Sequence, residues 1–408
     1  MPTHLIARRS LLRAALGALA AAAAGPASAQ PAGLTFAQWS EKFRPRARAR
    51  GVSEATYNRV MGSLKPDTSV YALERAQPEF KEPMWQYVNR RVSDWRITTG
   101  KARAREYAAL IERVERQFGV DRYLMLALWG MESAFGDVVV DRKHMRPVLP
   151  ALAALAWGEP RRRAYWEQEL INALLIIERG WAEEKEMVGS WAGAMGHTQW
   201  MPEVWLRMGV DGNGDGKISP FGSPDDALAG TAQYLLKRGT YRRNEGWGYE
   251  VRLPANIKRA GHNNIAAWER LGVVRANGQP FPRPTERASI WQPVAGGPAF
   301  LITQNFRAVR SYNPADSYTL ATVHLADRIR GEGPFVQQFP GGERIPTLAE
   351  VQEMQRLLTA RGFDTRGADG RIGPETMLAV RAFQSKVGMQ PADGYLGLKV
   401  LARLRQGA

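Results

Sequence analysis

The sequence predicts a mainly α-helical protein, with a large N-terminal part and a small helical C-terminal part. Residues 34 to about 330 show long helical periodicities broken by Gly/Pro loops, and no alternating run is long enough to suggest a large sheet. Beyond a Gly/Pro-rich tract at 331–345, apolar residues again recur three or four positions apart, as in an amphipathic helix. A chain of 408 residues has room for the two or three domains that this organisation requires.

The N-terminal 29 residues have the composition of an export signal. A basic start with Arg8 and Arg9 precedes an alanine-rich apolar stretch and small residues at 27–29. We therefore predict a signal peptide cleaved after Ala29 and a periplasmic mature protein. The apolar run contains Arg13 and is too short to span a bilayer comfortably, which disfavours an uncleaved anchor. The paired arginines are also typical of a twin-arginine signal.

Composition excludes several classes of function. The absence of cysteine excludes disulfides, thiolate metal sites, a cysteine nucleophile and a lipid-modified cysteine anchor. The formal charge of +16 falls to about +13 when the arginines of the signal segment are removed. In an exported protein this excess favours anionic envelope polymers or lipid headgroups over nucleic acid, while a solvated surface without a specific partner is the alternative. No membrane span is predicted after the signal segment.

One carboxylate stands at the end of an apolar helical stretch, in WGMESAFG at 129–136. Leu124, Leu128 and Met131 follow a helical spacing, and Glu132 lies one turn beyond Leu128 on nearly the same face. The pattern predicts that this side chain points inward, where apolar surroundings raise the pKa of a carboxyl group so that it can act as a general acid. An exposed or salt-bridged glutamate at a helix end is the alternative.

A second cluster, GSWAGAMGHTQWMP at 189–202, combines small residues with polar and aromatic ones. Gly193, Ala194 and Gly196 remove side-chain bulk, which lets a ligand approach the backbone. The hydrogen-bonding groups and ring faces that suit a sugar are those of Ser190, Trp191, Gln199 and Trp200. A tight corner of helix packing has the same composition, so both interpretations stay open.

The run DGNGDGKIS, which begins at Asp211, fits the opening of an EF-hand calcium loop. Asp211, Asn213 and Asp215 stand at its first, third and fifth positions, and a turn glycine follows. Lys217 contributes its carbonyl oxygen. The match fails at the twelfth position, where Gly222 replaces the standard glutamate. We predict a Ca²⁺ or Na⁺ site that stabilises the fold, with an unoccupied Asx-turn loop as the alternative.

The last segment contains a short internal repeat. DGRIG at 369–373 recurs as DGYLG at 393–397, and helix-like sequence follows each copy, so each predicts a turn that begins a helix. An amphipathic helix before the first copy is predicted by Leu348, Val351, Met354, Leu357 and Leu358. Three short helices around a common core are therefore expected.

Several separated motifs in one order carry a family resemblance. ESAFG at 132–136, SWAGAMG at 190–196 and QWMP at 199–202 closely resemble the B-type membrane-bound lytic murein transglycosylases, over roughly residues 36–329. The resemblance implies a lysozyme-like catalytic core of the goose-type/lytic transglycosylase kind, with extra helical parts. It also implies cleavage of the MurNAc–GlcNAc β-1,4 bond of peptidoglycan, leaving a 1,6-anhydro-MurNAc end.

The resemblance also assigns roles to individual residues. The single catalytic acid falls on Glu132, and Ser190 resembles the hydroxyl that orients this carboxylate. Gln199 resembles the substrate-binding glutamine of the family. Shorter matches, RSYNP at 310–314 among them, place four further residues around the cleft, namely Tyr234, Tyr312, Asn313 and Tyr318. Without the family, the tyrosines at 312 and 318 are more typical of core aromatics with a satisfied hydroxyl.

A single carboxylate is consistent with this chemistry, although most glycoside hydrolases use two. Glu132 is expected to donate its proton to the glycosidic oxygen and then to deprotonate the C6 hydroxyl of MurNAc, which attacks C1 of the same sugar. No protein nucleophile or cofactor is required. The intramolecular attack gains proximity that water lacks, so water has to be kept out. A hydrolytic muramidase and a catalytically silent peptidoglycan-binding scaffold are the alternatives.

The resemblance also completes the predicted cation loop. Related transglycosylases close this loop with a later aspartate instead of the standard glutamate. Asp226, in SPDDA, matches that aspartate best, and Asp225 is the competitor.

The C-terminal segment has a resemblance of its own. DGRIGPET, which begins at Asp369, and the helical sequence after it resemble the small peptidoglycan-binding domain of many cell-wall hydrolases, over about 346–405. Such a module holds an enzyme on insoluble substrate, and a structural cap is the alternative. The predicted domains are a signal peptide at 1–29, a catalytic domain at 30–330, a linker at 331–345 and a peptidoglycan-binding domain at 346–408.

Overall fold

The computed structural model describes residues 33–75, 82–141, 145–259 and 261–406. The predicted signal peptide lies outside these residues. The described chain divides into two compact units, which we call the sheet unit (residues 82–131 and 235–406) and the loop unit (residues 33–75 and 132–234). Within the described ranges, no helix is both long and apolar enough to cross a membrane.

Helices dominate both units, which confirms the mainly α-helical prediction. In chain order they are α1 (Phe36–Ala49), α2 (Glu54–Met61), α3 (Val70–Arg75), α4 (Met84–Arg91), α5 (Asp94–Glu106), α6 (Ala108–Phe118), α7 (Arg122–Ser133), α8 (Asp137–Asp141), α9 (Val148–Gly158), α10 (Arg163–Glu178), α11 (Pro202–Met208), α12 (Asp225–Lys237), α13 (Ile265–Arg270), α14 (Gln304–Tyr312), α15 (Asp316–Arg330), α16 (Leu348–Ala360), α17 (Pro374–Lys386) and α18 (Leu398–Arg405).

The core of the loop unit forms around α9 and α10. Helix α9 has the sequence VLPALAALAWG and is buried on nearly every face, as expected for a helix without a polar stripe. Its alanines let α10 pack closely, and α10 buries Trp166, Leu170 and Leu174. Trp200 and Trp205 complete the same cluster.

The sheet unit contains a five-stranded antiparallel sheet that the sequence did not predict. The strands of the protein are β1 (Arg146–Pro147), β2 (Val188–Gly189), β3 (Gly248–Arg252), β4 (Asn263–Asn264), β5 (Val274–Arg275), β6 (Arg287–Trp291) and β7 (Ala299–Ile302). The sheet has the order β4-β6-β7-β3-β5, and β1 pairs with β2 in the loop unit. Strands of two to five residues are too short to show alternation, and β7 is buried along its whole length.

The C-terminal segment folds into α16, α17 and α18 around one core, as its apolar spacing predicts. Val351, Met354 and Leu358 are buried, Leu357 packs against them, and Leu348 is half-buried. This segment contacts α4 and the start of α5. Three of the bonds that join them run from Gln86 to Asp393 (2.8 Å), from Asn89 to the Tyr395 hydroxyl (3.0 Å) and from the Leu348 amide to Asp94 (2.9 Å).

The internal repeat corresponds to a repeated hydrogen-bond clasp. In the first copy, buried Gln355 accepts from the Gly370 amide (2.8 Å) and donates to the Asp369 carboxylate (3.3 Å). In the second copy, Gln384 accepts from Gly394 (2.8 Å) and donates to Asp393 (3.1 Å). Each clasp fixes the turn that precedes a helix, with the glycines at φ 79° and 81°.

We expect Gln355→Ala to open the first clasp, because the Gly370 amide would lose its acceptor in a buried turn. Local stability should fall by about 1–3 kcal/mol, and the Gly370 amide should exchange with deuterium at least about tenfold faster. Hydrogen-exchange mass spectrometry of the full chain measures this rate. Gln352→Ala, at a half-buried position of the same helix, is the control. Equal exchange in both variants would contradict the role of the clasp.

Candidate active site

Helix α7 ends in a strained turn immediately after Glu132. Leu124, Leu128 and Met131 are buried, as their spacing predicts, whereas Glu132 is half-buried. Ala134 and Phe135 follow with φ angles of 53° and 61°. Two consecutive non-glycine residues with left-handed backbone are costly and persist only where tertiary contacts hold them, which is common at functional sites.

Ser133 supplies the contact that holds this turn. Its buried hydroxyl donates to the carbonyl oxygen of His197 (2.6 Å) and accepts from the Gly136 amide (3.0 Å). The first bond ties the end of α7 to the GSWAGAMGHTQWMP loop, and the second closes the ESAFG turn. The residue next to Glu132 is thereby bonded to the loop that contains Ser190 and Gln199.

Within the sheet unit, Arg96 binds a carbonyl oxygen near the end of α7. Its guanidinium donates to the carbonyl oxygens of Gly130 (3.3 Å) and Arg90 (3.4 Å). The Gly130 carbonyl lies where the helix stops, so it needs an external donor, and a cation is favourable at a helix C-terminus. Burial, together with Arg91 and Arg90, lowers the pKa of Arg96. The sequence analysis did not predict this role of Arg96, because no local pattern relates it to Gly130, which lies 34 positions later in the chain.

Ser190 occupies a buried position in a tight turn of the loop. Its hydroxyl oxygen accepts from the Ala194 amide (3.1 Å), and its own amide donates to the Ala194 carbonyl (2.8 Å). A hydroxyl that accepts in this way still has its own proton to donate. Gln199 lies on the same loop with φ 52°, and its side-chain amide donates to the Gly196 carbonyl (3.0 Å).

The small residues and one tryptophan of this loop serve packing. A Cβ atom on Gly193 would lie 2.9 Å from Leu152, and one on Gly196 would lie 2.2 Å from the Pro220 carbonyl oxygen. Both glycines also have positive φ angles, so the packing-corner interpretation explains them. The expectation that Trp200 offers a ring face to sugar is wrong, because only 1% of it is exposed. Trp191 is half-buried.

The remaining predicted cleft residues differ in burial. Tyr234 is buried in the loop unit, and Tyr318 is buried in α15 of the sheet unit with 3% exposed. Tyr312 and Asn313 are half-buried at the end of α14, where the Asn313 side chain accepts from the Ala315 amide (3.1 Å). The burial of Tyr318 matches the core-aromatic alternative, and the cleft roles of these four residues stay predictions.

The predicted cation loop is organised around two carboxylates. Asp211 accepts from the amides of Gly214 (2.7 Å) and Gly216 (2.9 Å), among others, which produces the Asx-turn geometry. Asp226 is buried and accepts from the amides of Gly212 (2.7 Å) and Ser219 (2.8 Å), so it joins the two ends of the loop. Its neighbour Asp225 instead accepts from the Ser223 hydroxyl.

The oxygen-rich loop suits a hard cation chemically. Burial raises the pKa of Asp226, and the carboxylates of Asp211 and Asp215 raise it further, so a cation among them would relieve this repulsion. The Asn213 amide donates to Asp215 (2.9 Å). Lys217 is exposed, and its amide donates to Asp215 (2.8 Å). Among the described residues, however, no three or more His, Cys, Asp or Glu side chains are already arranged as a metal site.

His197 connects this cation loop to the loop at residues 189–202, which we call the Ser190 loop. Its amide donates to the Pro220 carbonyl (2.9 Å), and its Nε2 lies 2.8 Å from the Gly222 carbonyl. A carbonyl only accepts, so Nε2 carries the proton. Since the His197 carbonyl also accepts from Ser133, one residue links α7, the Ser190 loop and the cation loop.

Comparison with known proteins identifies the family. Residues 35–327 match the transglycosylase SLT domain, and residues 347–404 match a peptidoglycan binding domain. The first match spans well over half of the chain, so the chain belongs to the transglycosylase SLT family.

Individual relatives agree with this assignment. The structure of SltB3 from Pseudomonas aeruginosa in complex with NAG-anhNAM-pentapeptide is 39% identical, with a TM-score of 0.70, and covers 91% of this chain and 100% of its own. Membrane-bound lytic murein transglycosylase B of Escherichia coli K12 is 26% identical over 66% of this chain and 73% of its own length. Escherichia coli Slt35 in complex with calcium shares the fold, at 22% identity and a TM-score of 0.60 over 71% of this chain and 92% of its own.

We expect Ser133→Ala to release the end of α7 from the loop, because the Gly136 amide loses its acceptor and the bond to the His197 carbonyl is lost. The free energy of unfolding should fall by about 1–3 kcal/mol, and glycan cleavage should fall further than the folded fraction explains. Denaturant unfolding and a cleavage assay measure the two effects. Ser133→Thr, which keeps the hydroxyl, is the control. Full activity of Ser133→Ala would contradict this role.

Proposed function

We propose that the chain cleaves the MurNAc–GlcNAc β-1,4 bond of peptidoglycan without hydrolysis and leaves 1,6-anhydro-MurNAc ends, with Glu132 as its only acid and base. Membership of the transglycosylase SLT family supports the reaction class. The observation that supports the residue assignment is the bond between Ser133, the residue after Glu132, and His197, which belongs to the same loop as Ser190 and Gln199. The half-buried position of Glu132 suits a carboxyl group that has to reach a bound sugar.

The proposed reaction uses one carboxyl group twice. Protonated Glu132 donates to the glycosidic oxygen as the C1–O bond breaks, and the carboxylate then takes the proton of the C6 hydroxyl as its oxygen bonds to C1. Ser190 orients the carboxylate with the proton that its bond to Ala194 leaves available. Gln199, Tyr234, Tyr312, Asn313 and Tyr318 contact the glycan strand in this proposal.

The chain organisation supports a periplasmic enzyme that stays on the wall. The segment at 1–29 directs export, the region at 30–330 cleaves, and the module at 346–408 follows a linker and binds peptidoglycan. The match to the peptidoglycan binding domain supports the last assignment. Binding through the module raises the local concentration of glycan strands around the catalytic region.

We further propose that the loop from Asp211 to Asp226 binds Ca²⁺ or Na⁺ in a structural role. Side-chain oxygens of Asp211, Asn213, Asp215 and Asp226 and the Lys217 carbonyl would hold the ion. Asp226 is preferred over Asp225 because it already joins Gly212 to Ser219. The ion would neutralise the carboxylates and stiffen the loop that His197 connects to the active site.

Glu132→Gln should abolish glycan cleavage while leaving the fold intact, because the amide keeps the shape of the side chain but cannot donate and recover a proton. Mass spectrometry of digested sacculi measures the products. The wild type should give anhydro ends, and the variant should leave the glycan intact. Glu106→Gln, at an exposed position, is the control and should cleave normally.

Other products would contradict parts of the proposal. Reducing ends from the wild type would indicate a hydrolytic muramidase, and intact glycan would indicate a binding scaffold. Retained cleavage by Glu132→Gln would remove the proposed acid.

Calcium should stabilise the wild type through the proposed loop. Sites of this class bind with dissociation constants of about 0.1–1 mM, so 10 mM Ca²⁺ should add about 1–3 kcal/mol and raise the melting temperature by a few degrees. Asp226→Asn should abolish the shift, and Asp225→Asn should keep it. Calorimetry with and without EDTA measures the shift. Equal shifts in both variants, or none in the wild type, would contradict the site.

A further inference from the structure

One end of the five-stranded sheet forms an exposed tip made of two adjoining segments. Strand β3 ends at Arg252 and leads through Pro254 into an exposed turn. The turn between α13 and β5 lies beside it, because a Cβ atom on Gly272 would lie 3.5 Å from Pro254 Cγ. We call residues 252–259 and 270–274 the sheet tip.

Two large apolar side chains of the sheet tip are exposed to solvent. Leu271 is 56% exposed and Val274 is 49% exposed. Among the described residues, four large apolar side chains are exposed, and these two are exposed most. Val274 lies on β5, which is an edge strand of the sheet, and Leu271 precedes Gly272, whose φ angle is 86°. A single exposed Leu or Val is ordinary, whereas a neighbouring pair with a polar rim is typical of an interaction surface.

Cationic side chains accompany these two apolar residues. Arg252 of β3 pairs in register with Val274 of β5, so their side chains lie on the same face of the sheet. Arg270 immediately precedes Leu271, and Lys258 lies in the segment that follows β3. All three cationic residues are exposed. The sheet tip therefore combines apolar side chains with positive charge.

Acidic residues do not neutralise these three cations. In the part of the chain that the structure describes, none of them forms an ion pair with a carboxylate. Arg259 of the same segment donates to the neutral side chain of Gln292 (2.6 Å). Glu269 is the only acid in the sequence from 252 to 274, and it is exposed as well. The wider stretch at 237–310 contains 13 Lys and Arg residues but four Asp and Glu residues, so the local field is positive.

We propose that the sheet tip docks on the anionic headgroups of a lipid bilayer. Leu271 and Val274 enter the interface, and Arg252, Lys258 and Arg270 contact lipid phosphates. Peripheral binding of this kind grows with the apolar area buried and with the attraction of basic residues to anionic lipids, and the tip supplies both. A soluble anionic polymer would contact the cations and leave the two apolar side chains in water.

The proposed contact uses none of the residues assigned above to cleavage. It would hold the chain at a membrane surface without a lipid-modified cysteine, which the composition excludes. Attraction between exposed charges is screened by salt, so the contact would be reversible. Access to a bilayer of the envelope rests on the proposed export, whereas the chemistry of the surface does not.

Sedimentation of the full chain with lipid vesicles measures the contribution of the cations. Phosphatidylcholine vesicles with about one-third phosphatidylglycerol should bind at least about tenfold more tightly than pure phosphatidylcholine, because each basic residue near an anionic surface strengthens binding about fivefold. Arg252→Gln/Arg270→Gln should weaken binding to the anionic vesicles at least about tenfold. The matched control is Arg105→Gln/Arg116→Gln, which removes two exposed arginines from α5 and α6 and should weaken it less than about threefold.

A second variant separates a bilayer from a soluble polyanion. Leu271→Ser/Val274→Ser should weaken binding to the anionic vesicles at least about tenfold, because the apolar area can no longer be buried. Its binding to soluble polyphosphate should equal that of the wild type. Leu378→Ser, which changes an exposed leucine of α17, is the control and should bind vesicles normally.

A fluorescent label reports directly whether the sheet tip enters the bilayer. The chain contains no cysteine, so Ala255→Cys accepts a single environment-sensitive dye in the exposed turn after β3. Its emission should shift to the blue on anionic vesicles. The same dye on Ala102→Cys, at an exposed position of α5, should keep its emission.

Three results would each overturn the proposal. They are equal loss of binding in the two arginine variants, unchanged vesicle binding by Leu271→Ser/Val274→Ser, and no blue shift at Ala255. The labelled chain still decides if a double variant fails to fold. None of these measurements uses glycan products, so failure of the proposed cleavage would leave them interpretable.

Discussion

The hydrogen bond from Ser133 to the His197 carbonyl is the interaction on which the candidate site depends. It holds a turn in which two consecutive residues have unfavourable backbone angles, and it joins α7 to the loop that contains Ser190. The ring of His197 also binds the Gly222 carbonyl, so the same residue holds the cation loop. A glutamate at a helix end would ordinarily be free to move, and here its backbone is fixed from several directions.

The position of Glu132 therefore depends on elements that are far apart in sequence. Arg96 binds the Gly130 carbonyl within the sheet unit, and Ser133 binds the His197 carbonyl within the loop unit. Both contacts act on the last turn of α7 and neither requires substrate. Such preorganisation is what a single carboxyl group needs if it has to donate and then recover a proton without a second residue to help it.

Local spacing was sufficient to predict the mainly helical fold and several of its elements. The buried stripe of α7 and the three C-terminal helices follow from apolar periodicity, and the Asx-turn loop follows from its aspartates and glycines. The short strands could not be predicted, because two to five residues show no alternation. The burial of Trp200 and the role of Arg96 depend on distant partners, Thr231 and Gly130, which local sequence does not reveal. The roles of Ser190 and Gln199 were predicted from family motifs and not from the spacing of residues.

The carboxylate of Asp393 has two functions in the C-terminal module. One oxygen accepts from Gln384 and from the Tyr395 amide within the second repeat turn, while the other accepts from Gln86 of α4. The internal order of the module and its attachment to α4 thus share a side chain. Any change that moves this carboxylate would therefore disturb the second repeat turn and the contact with α4 at the same time.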